Sequence, residues 1–129
     1  MNTANSDIET KKDGLVERVK DFFDDRGTDP KVVVPVKNTQ LQNLLQLALQ
    51  TTSVKEIQLF IRYQCGRDKD NREWGKNEFG LNLEKQVGEV AEETMESKDV
   101  KIELVRLFLG YLVWEARYRK LDQKKSERG

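Results

Sequence analysis

A chain of 129 residues is one domain's worth of polypeptide, enough for a single modest core. Its 23 basic and 23 acidic side chains cancel, charged residues make up 36% of it, and it holds one cysteine and no histidine. That composition excludes Ser-His-Asp and Cys-His catalysis, histidine-ligated metals and an internal disulfide. No apolar run approaches the roughly 20 residues that span a bilayer. The polar start lacks a signal-peptide pattern, so a reducing, cytoplasmic setting is expected.

Residues 1–12 are polar and charged, and a frayed or disordered start is expected. The first helix is predicted from about Asp13 to Arg26, with Val16, Val19, Phe22 and Phe23 as its apolar stripe and Gly27 at its C-cap. Thr28 to Lys37 interrupts it. Asp29-Pro30 opens a turn, and Lys31-Val32-Val33-Val34-Pro35-Val36 has strand composition without a partner strand. It reads as an extended connector laid over the core. Asn38 or Thr39 is expected to cap a second helix, about Gln40 to Gln50, whose apolar face is Leu41, Leu44, Leu45, Ala48 and Leu49. Thr51-Thr52-Ser53 is short enough to make an antiparallel hairpin with the next helix.

That third helix runs to Arg67. Ser53 and Glu56 have capping-box spacing, Gly66 stands where a left-handed cap would fall, and Val54, Ile57, Phe60, Ile61 and Gln64 share one side. Cys65 reads as a small buried side chain. Asp68 to Gly80 is a charged, glycine-bearing, mobile loop. Its Trp74 and Phe79 either stack on nucleic-acid bases or fold back as a lid on the core. The fourth helix, about Leu81 to Ser97, buries Leu83, Val87, Val90, Ala91 and Met95 and turns Glu84, Glu89, Glu92, Glu93 and Glu96 outward. Asp99 is the expected N-cap of the last helix, which reaches Lys120. Its stripe is Ile102, Val105, Leu109, Leu112, Val113 and Ala116. Phe108, Tyr111, Trp114 and Tyr118 widen the stripe past one face, so this helix is central or shared with another subunit. Residues 121–129 form a charged tail. The whole is an all-α bundle of about five helices, a single domain over 13–120.

Charge is distributed in blocks: net −3 over residues 1–30, +3 over 31–83, −4 over 84–103 and +4 over 104–129. A neutral chain of this kind can present a basic face to a polyanion. One basic group is Arg62, Arg67, Lys69, Arg72 and Lys76; the other is Arg117, Arg119, Lys120, Lys124 and Lys125. If the two helix ends are neighbours, they make one patch suited to phosphates, which bind without reading sequence. The alternative is ordinary solubilising charge, or pairing with acidic blocks here or in a neighbouring subunit. Glu89, Glu92, Glu93 and Glu96 lie at spacings that can hold magnesium on one helical face. Val87-Gly88-Glu89-Val90-Ala91-Glu92 resembles the first glutamate motif of all-helical nucleotide pyrophosphohydrolases. The second motif, a glutamate followed three residues on by an aspartate, is missing: Glu115 is followed at that spacing by Tyr118. The face therefore reads as solvated, with no catalytic residue, metal or cofactor expected.

Leu59-Phe60-Ile61-Arg62-Tyr63-Gln64-Cys65-Gly66-Arg67, then Phe108-Leu109-Gly110-Tyr111-Leu112-Val113-Trp114-Glu115-Ala116-Arg117-Tyr118, resembles the small helical subunit of type III CRISPR–Cas effector complexes, the Csm-type family. The shared pattern is a helix ending in an aromatic, a small residue and Gly-Arg, then a final helix with Phe, Glu-Ala and an aromatic, and it covers residues 39–120. The resemblance implies a non-catalytic RNA-binding and assembly subunit. Its partners would be guide RNA and target RNA, other subunits of the complex and stacked copies of itself. Contact roles carry over to Arg62, Arg67, Arg117 and Arg119, with Lys69, Arg72 and Lys120 beside them in the same patch. The acidic N-terminal helix and the Pro30–Pro35 connector have no counterpart in that family. The rival expectations are a magnesium-dependent nucleotide pyrophosphohydrolase and a helical protein–protein adaptor.

Overall fold

The computed structural model describes the backbone of residues 3–24 and 34–128, and the side chains of 8–24 and 34–120. Five α-helices follow one another: α1 (Thr3–Asp24), α2 (Asn38–Gln50), α3 (Val54–Arg67), α4 (Phe79–Glu92) and α5 (Lys98–Arg128). A 3-10 turn, Lys76–Glu78, leads into α4, and there is no strand among the described residues. The expected all-α bundle is what the chain forms. At 1.5 Å per residue α5 is about 46 Å long. It is the common wall of the bundle: α1, α2 and α4 all pack on it, while α3 packs chiefly on α4 and also on α2. Leu104, Val105, Phe108, Leu109, Leu112 and Ala116 of α5 are buried against Leu15 and Val19 of α1, Leu41 and Leu44 of α2, and Leu83, Val87 and Val90 of α4 within one core.

Several boundaries differ from the sequence expectation. Helix α1 begins at Thr3, not near Asp13. Ile8 packs on the core and Leu15 is buried, so the apolar stripe runs two turns further back than Val16 suggests. Lys11 Nζ also donates to the Glu93 carbonyl, tying this turn to the end of α4 (3.1 Å). Helix α5 continues to Arg128, through the stretch expected to be a tail. The expected turn at Asp29-Pro30 and cap at Gly27 lie outside the described residues. Val34 and Val36 are buried, as a connector laid over the core requires.

The caps follow local chemistry. Lys37, in an extended conformation, is the N-cap of α2, and its carbonyl accepts from the Gln40 and Leu41 N–H groups; neither Asn38 nor Thr39 has that role. Ser53 Oγ accepts the Glu56 N–H at 3.0 Å, as the capping-box spacing predicts. The Ser53 N–H, however, goes to Thr51 Oγ1 rather than to Glu56, so half of the box forms. Gly66 remains helical, no described glycine has a positive φ, and Asp68 is the C-cap of α3. Helix α4 stops at Glu92, so the helical period no longer applies at Met95, which is almost fully exposed; Thr94 is buried instead. Lys101 Nζ closes this end by donating to the Ala91 and Thr94 carbonyls at 2.9 and 2.8 Å, a cation at a helix C-terminus.

Candidate functional site

Helix α2 runs antiparallel to α5, and hydrogen bonds mark both ends of the pairing. At one end the Arg106 guanidinium donates to the Ala48 carbonyl (2.8 Å) and the Thr51 carbonyl (3.0 Å), capping the α2 C-terminus. At the other, Lys120 Nζ donates to the Val36 carbonyl (2.7 Å), just before α2 begins. The short Thr51-Thr52-Ser53 link then returns the chain along α3. Arg67, at the far end of α3, shares a cleft with Gln40 in the first turn of α2. The α3 terminus and the Arg117–Lys120 segment are therefore on the same end of the bundle, with the start of α2 between them.

The predicted cations divide into two sets there. Arg119 is engaged by the fold: it pairs with Asp24 (2.8 Å) and Glu115 (3.8 Å), and its guanidinium lies over the Phe23 ring (5.2 Å). Lys120 holds Val36. These two position the end of the bundle more than they offer charge to solvent. Arg62, Arg67, Lys69, Arg72 and Arg117 are exposed, and none of them makes an ion pair among the described residues. Arg67 lies over the exposed Tyr63 ring at 5.4 Å, a cation–π contact on the surface. Arg62 sits on the outward side of α3, and Lys69 and Arg72 follow Arg67 in the loop. Asp70 and Glu78, also exposed in this loop, offset part of the charge. Sequence reasoning missed Lys37, an exposed cation at the same end. The signal was available, because an antiparallel α2–α3 hairpin sets residue 37 opposite Arg67.

The loop after α3 is ordered by Asp68. Its carboxylate accepts the backbone N–H groups of Arg72 (3.2 Å), Glu73 (2.9 Å) and Gly75 (2.8 Å). Burial pushes the carboxyl up, but these three donors and the Arg72 charge outweigh it and hold it below the usual carboxylate range. Asn71, Asn77 and Glu78 take left-handed φ values of 52°, 53° and 58°. Asn tolerates that conformation; at Glu78 it stores strain. The wrapping takes Trp74 inward, to 3% exposure, where its ring meets Phe79 at 6.4 Å; Phe79 in turn stacks edge-on against Phe22 at 5.4 Å. Of the two expectations for Trp74 and Phe79, folding back onto the core is the one realised. Gly80 lets the loop close: a Cβ there would stand 2.2 Å from Cys65 Sγ and 3.0 Å from the Trp74 carbonyl. Cys65 is half-buried beneath this loop, and burial, followed by the Glu84 and Asp68 charges, pushes its thiol up and away from the reactive thiolate.

Two further surfaces complete the inventory. On α4, Arg18 of α1 reaches across to pair with Glu89 (3.2 Å) and Glu93 and to bond Gln86 (2.7 Å). Two of the four carboxylates with magnesium spacing, Glu89 and Glu93, thus act as a clamp between α1 and the end of α4, while Glu92 and Glu96 stay exposed, and no group suited to a metal ion occurs among the described residues. On α5, Tyr111, Trp114 and Tyr118 face outward between α1 and α2, above two shallow apolar grooves of about 460 and 320 Å³. Trp114 is 72% and Tyr118 63% exposed, contiguous along the helix with Arg117. Comparison with protein families, with curated proteins and with solved structures finds no match.

Proposed function

We propose that this chain is a non-catalytic RNA-binding and assembly subunit of a type III CRISPR–Cas interference complex, contacting the guide–target RNA duplex through its basic end. The observation that carries this reading is the meeting of the α3 terminus and the Arg117–Lys120 segment on one end of the bundle. Arg62, Arg67, Lys69, Arg72 and Arg117 supply the phosphate contacts, with Lys37 added, while Arg119 and Lys120 hold that end in shape. Contacts of this kind are sequence-independent and release counterions, so affinity falls steeply with salt. The exposed Tyr63, Trp114 and Tyr118 suit stacking on unpaired bases or seating a neighbouring subunit.

The test is retention of RNA by the full chain over a salt series, alone and in its complex. Arg67→Glu and Arg117→Glu should each weaken binding to all RNA sequences and lower the salt slope by about one. Unchanged retention in the double variant would remove the proposed surface. The outward aromatics of α5 also favour a second reading, a helical adaptor with no nucleic-acid role. Purification with and without nuclease separates the two: an adaptor keeps its protein partners and carries no RNA before treatment.

A further inference from the structure

Helix α5 carries a second apolar row besides the one it buries. Leu107, Tyr111, Trp114 and Tyr118 are spaced by four, three and four residues, the repeat of a helix that packs along another helix. Leu107 and Tyr111 are half-buried, while Trp114 and Tyr118 stand exposed. One turn before Trp114 the row is open at Gly110, where a Cβ would meet nothing within 4 Å. The groove over Gly110, about 320 Å³, is walled by Leu45, Leu49, Leu107 and Tyr111. Its volume reaches the lower end of pockets for drug-sized ligands, which is room for an indole. An apolar knob and an apolar hole therefore lie one turn apart on the same face.

We infer that this face pairs with the same face of a second copy, about a two-fold axis crossing α5 at Leu112, so that Trp114 of each copy fills the Gly110 groove of the other. Such an axis runs α5 antiparallel to its counterpart and sets α1 against α1 and α2 against α2. Charge complementarity selects this occupant. Helix α1 lies beside α5 and runs in its direction, since Lys12 shares a groove with Tyr111 while Asp24 pairs with Arg119. Lys12 and Lys20 line that groove next to Trp114, and Glu9 and Glu17 precede each of them by three residues. Reversed about a point between Gly14 and Leu15, this order sets Glu9 opposite Lys20 of the other copy and Lys12 opposite its Glu17. That point lies within about half a turn of the level of Leu112, so the two helices agree on one axis. Within a single chain the same four groups form only exposed pairs along α1, which contribute little. Helix α2 has no charged residue, in a chain that is 36% charged, so α2 against α2 meets no repulsion. The pair is closed, whereas head-to-tail stacking repeats without end. The inference does not rest on the RNA-binding reading.

The test is sedimentation of the full chain, with and without nuclease, across a micromolar concentration range. A reversible dimer that grows no further is expected, and acrylamide quenching of Trp114 should fall as it forms. Trp114→Ala should weaken pairing about thirtyfold or more, as loss of a central aromatic anchor does. Gly110→Leu should weaken it too, by filling the hole, since the new Cβ meets nothing in its own chain. Circular dichroism of both variants at dilution should match that of the unsubstituted chain. Lys12→Glu should weaken pairing about threefold, and adding Glu17→Lys should restore it. Failure to restore overturns the antiparallel axis. A series that continues past the dimer shows open stacking, and a monomer throughout leaves the face to another protein. A dimer lost on nuclease treatment is bridged by RNA. Each of these overturns the two-fold pair, as does a dimer that Trp114→Ala leaves intact.

Discussion

The two tryptophans of this chain have exchanged the places that their neighbourhoods suggest. Trp74 sits in the most charged loop of the molecule and is 3% exposed; Trp114 follows the apolar pair Leu112 and Val113 of α5 and is 72% exposed. The difference teaches that a side chain's environment is set by what its segment wraps around more than by the residues next to it. The Asp68 carboxylate gathers three N–H groups and turns the loop so that Trp74 faces inward toward Phe79. Helix α5, packed by α1, α2 and α4, has more apolar residues than those neighbours cover, and Trp114 is among the surplus.

The largest effect should come from emptying the inner site. Trp74→Ala should cost about 3–5 kcal/mol in urea or thermal unfolding, a large share of the stability of a domain this size. Gly80→Ala should follow, at about 1–3 kcal/mol, because the new methyl meets Cys65 Sγ and the Trp74 carbonyl. A loss under 0.5 kcal/mol would show that the loop is not closed on the core as described. Asp68→Ala should cost about 1 kcal/mol, as the loss of a capping side chain does. It should also loosen the loop, seen as a red shift of Trp74 emission in a Trp114→Phe background. The pH dependence has a defined sign. Asp68 has a folded value below its ordinary 3.8, so its contribution is fully present above that value and is lost as pH falls through the lower folded one. The same emission, titrated from pH 5 to pH 2, should shift in that acid window and not above it. Smallest of all, Trp114→Ala should leave stability within about 0.5 kcal/mol, and acrylamide should quench Trp114 while sparing Trp74.

Periodicity made the bundle readable. Ile57, Ile61 and Gln64 of α3, Leu83, Val87 and Val90 of α4, and the α5 stripe all occupy the sides that a 3.6-residue repeat assigns. What periodicity could not supply is where a helix ends, and the misread positions cluster there. A helical period carried past Glu92 turns Met95 inward, and Gly66 invites a turn that Asp68, two residues on, makes with its side chain. The candidate surface was half legible. That Arg67 and Arg117 lie toward one end of the bundle follows from alternating helix directions. That Arg119 is consumed by Asp24 and Phe23 depends on contacts between segments far apart in the chain.

Because α5 follows the other helices and is the wall on which α1, α2 and α4 rest, vectorial synthesis presents a problem of timing. Until α5 has left the ribosome, Leu15 and Val19 of α1 and Leu41 and Leu44 of α2 lack the surface that shelters them. In the meantime the α3–α4 pair is the most extensive packing the chain can form. Nascent chains arrested before Ile102 should accordingly be cut readily by protease and engaged by chaperones, and resistance should appear in a single step once Ala116 has emerged.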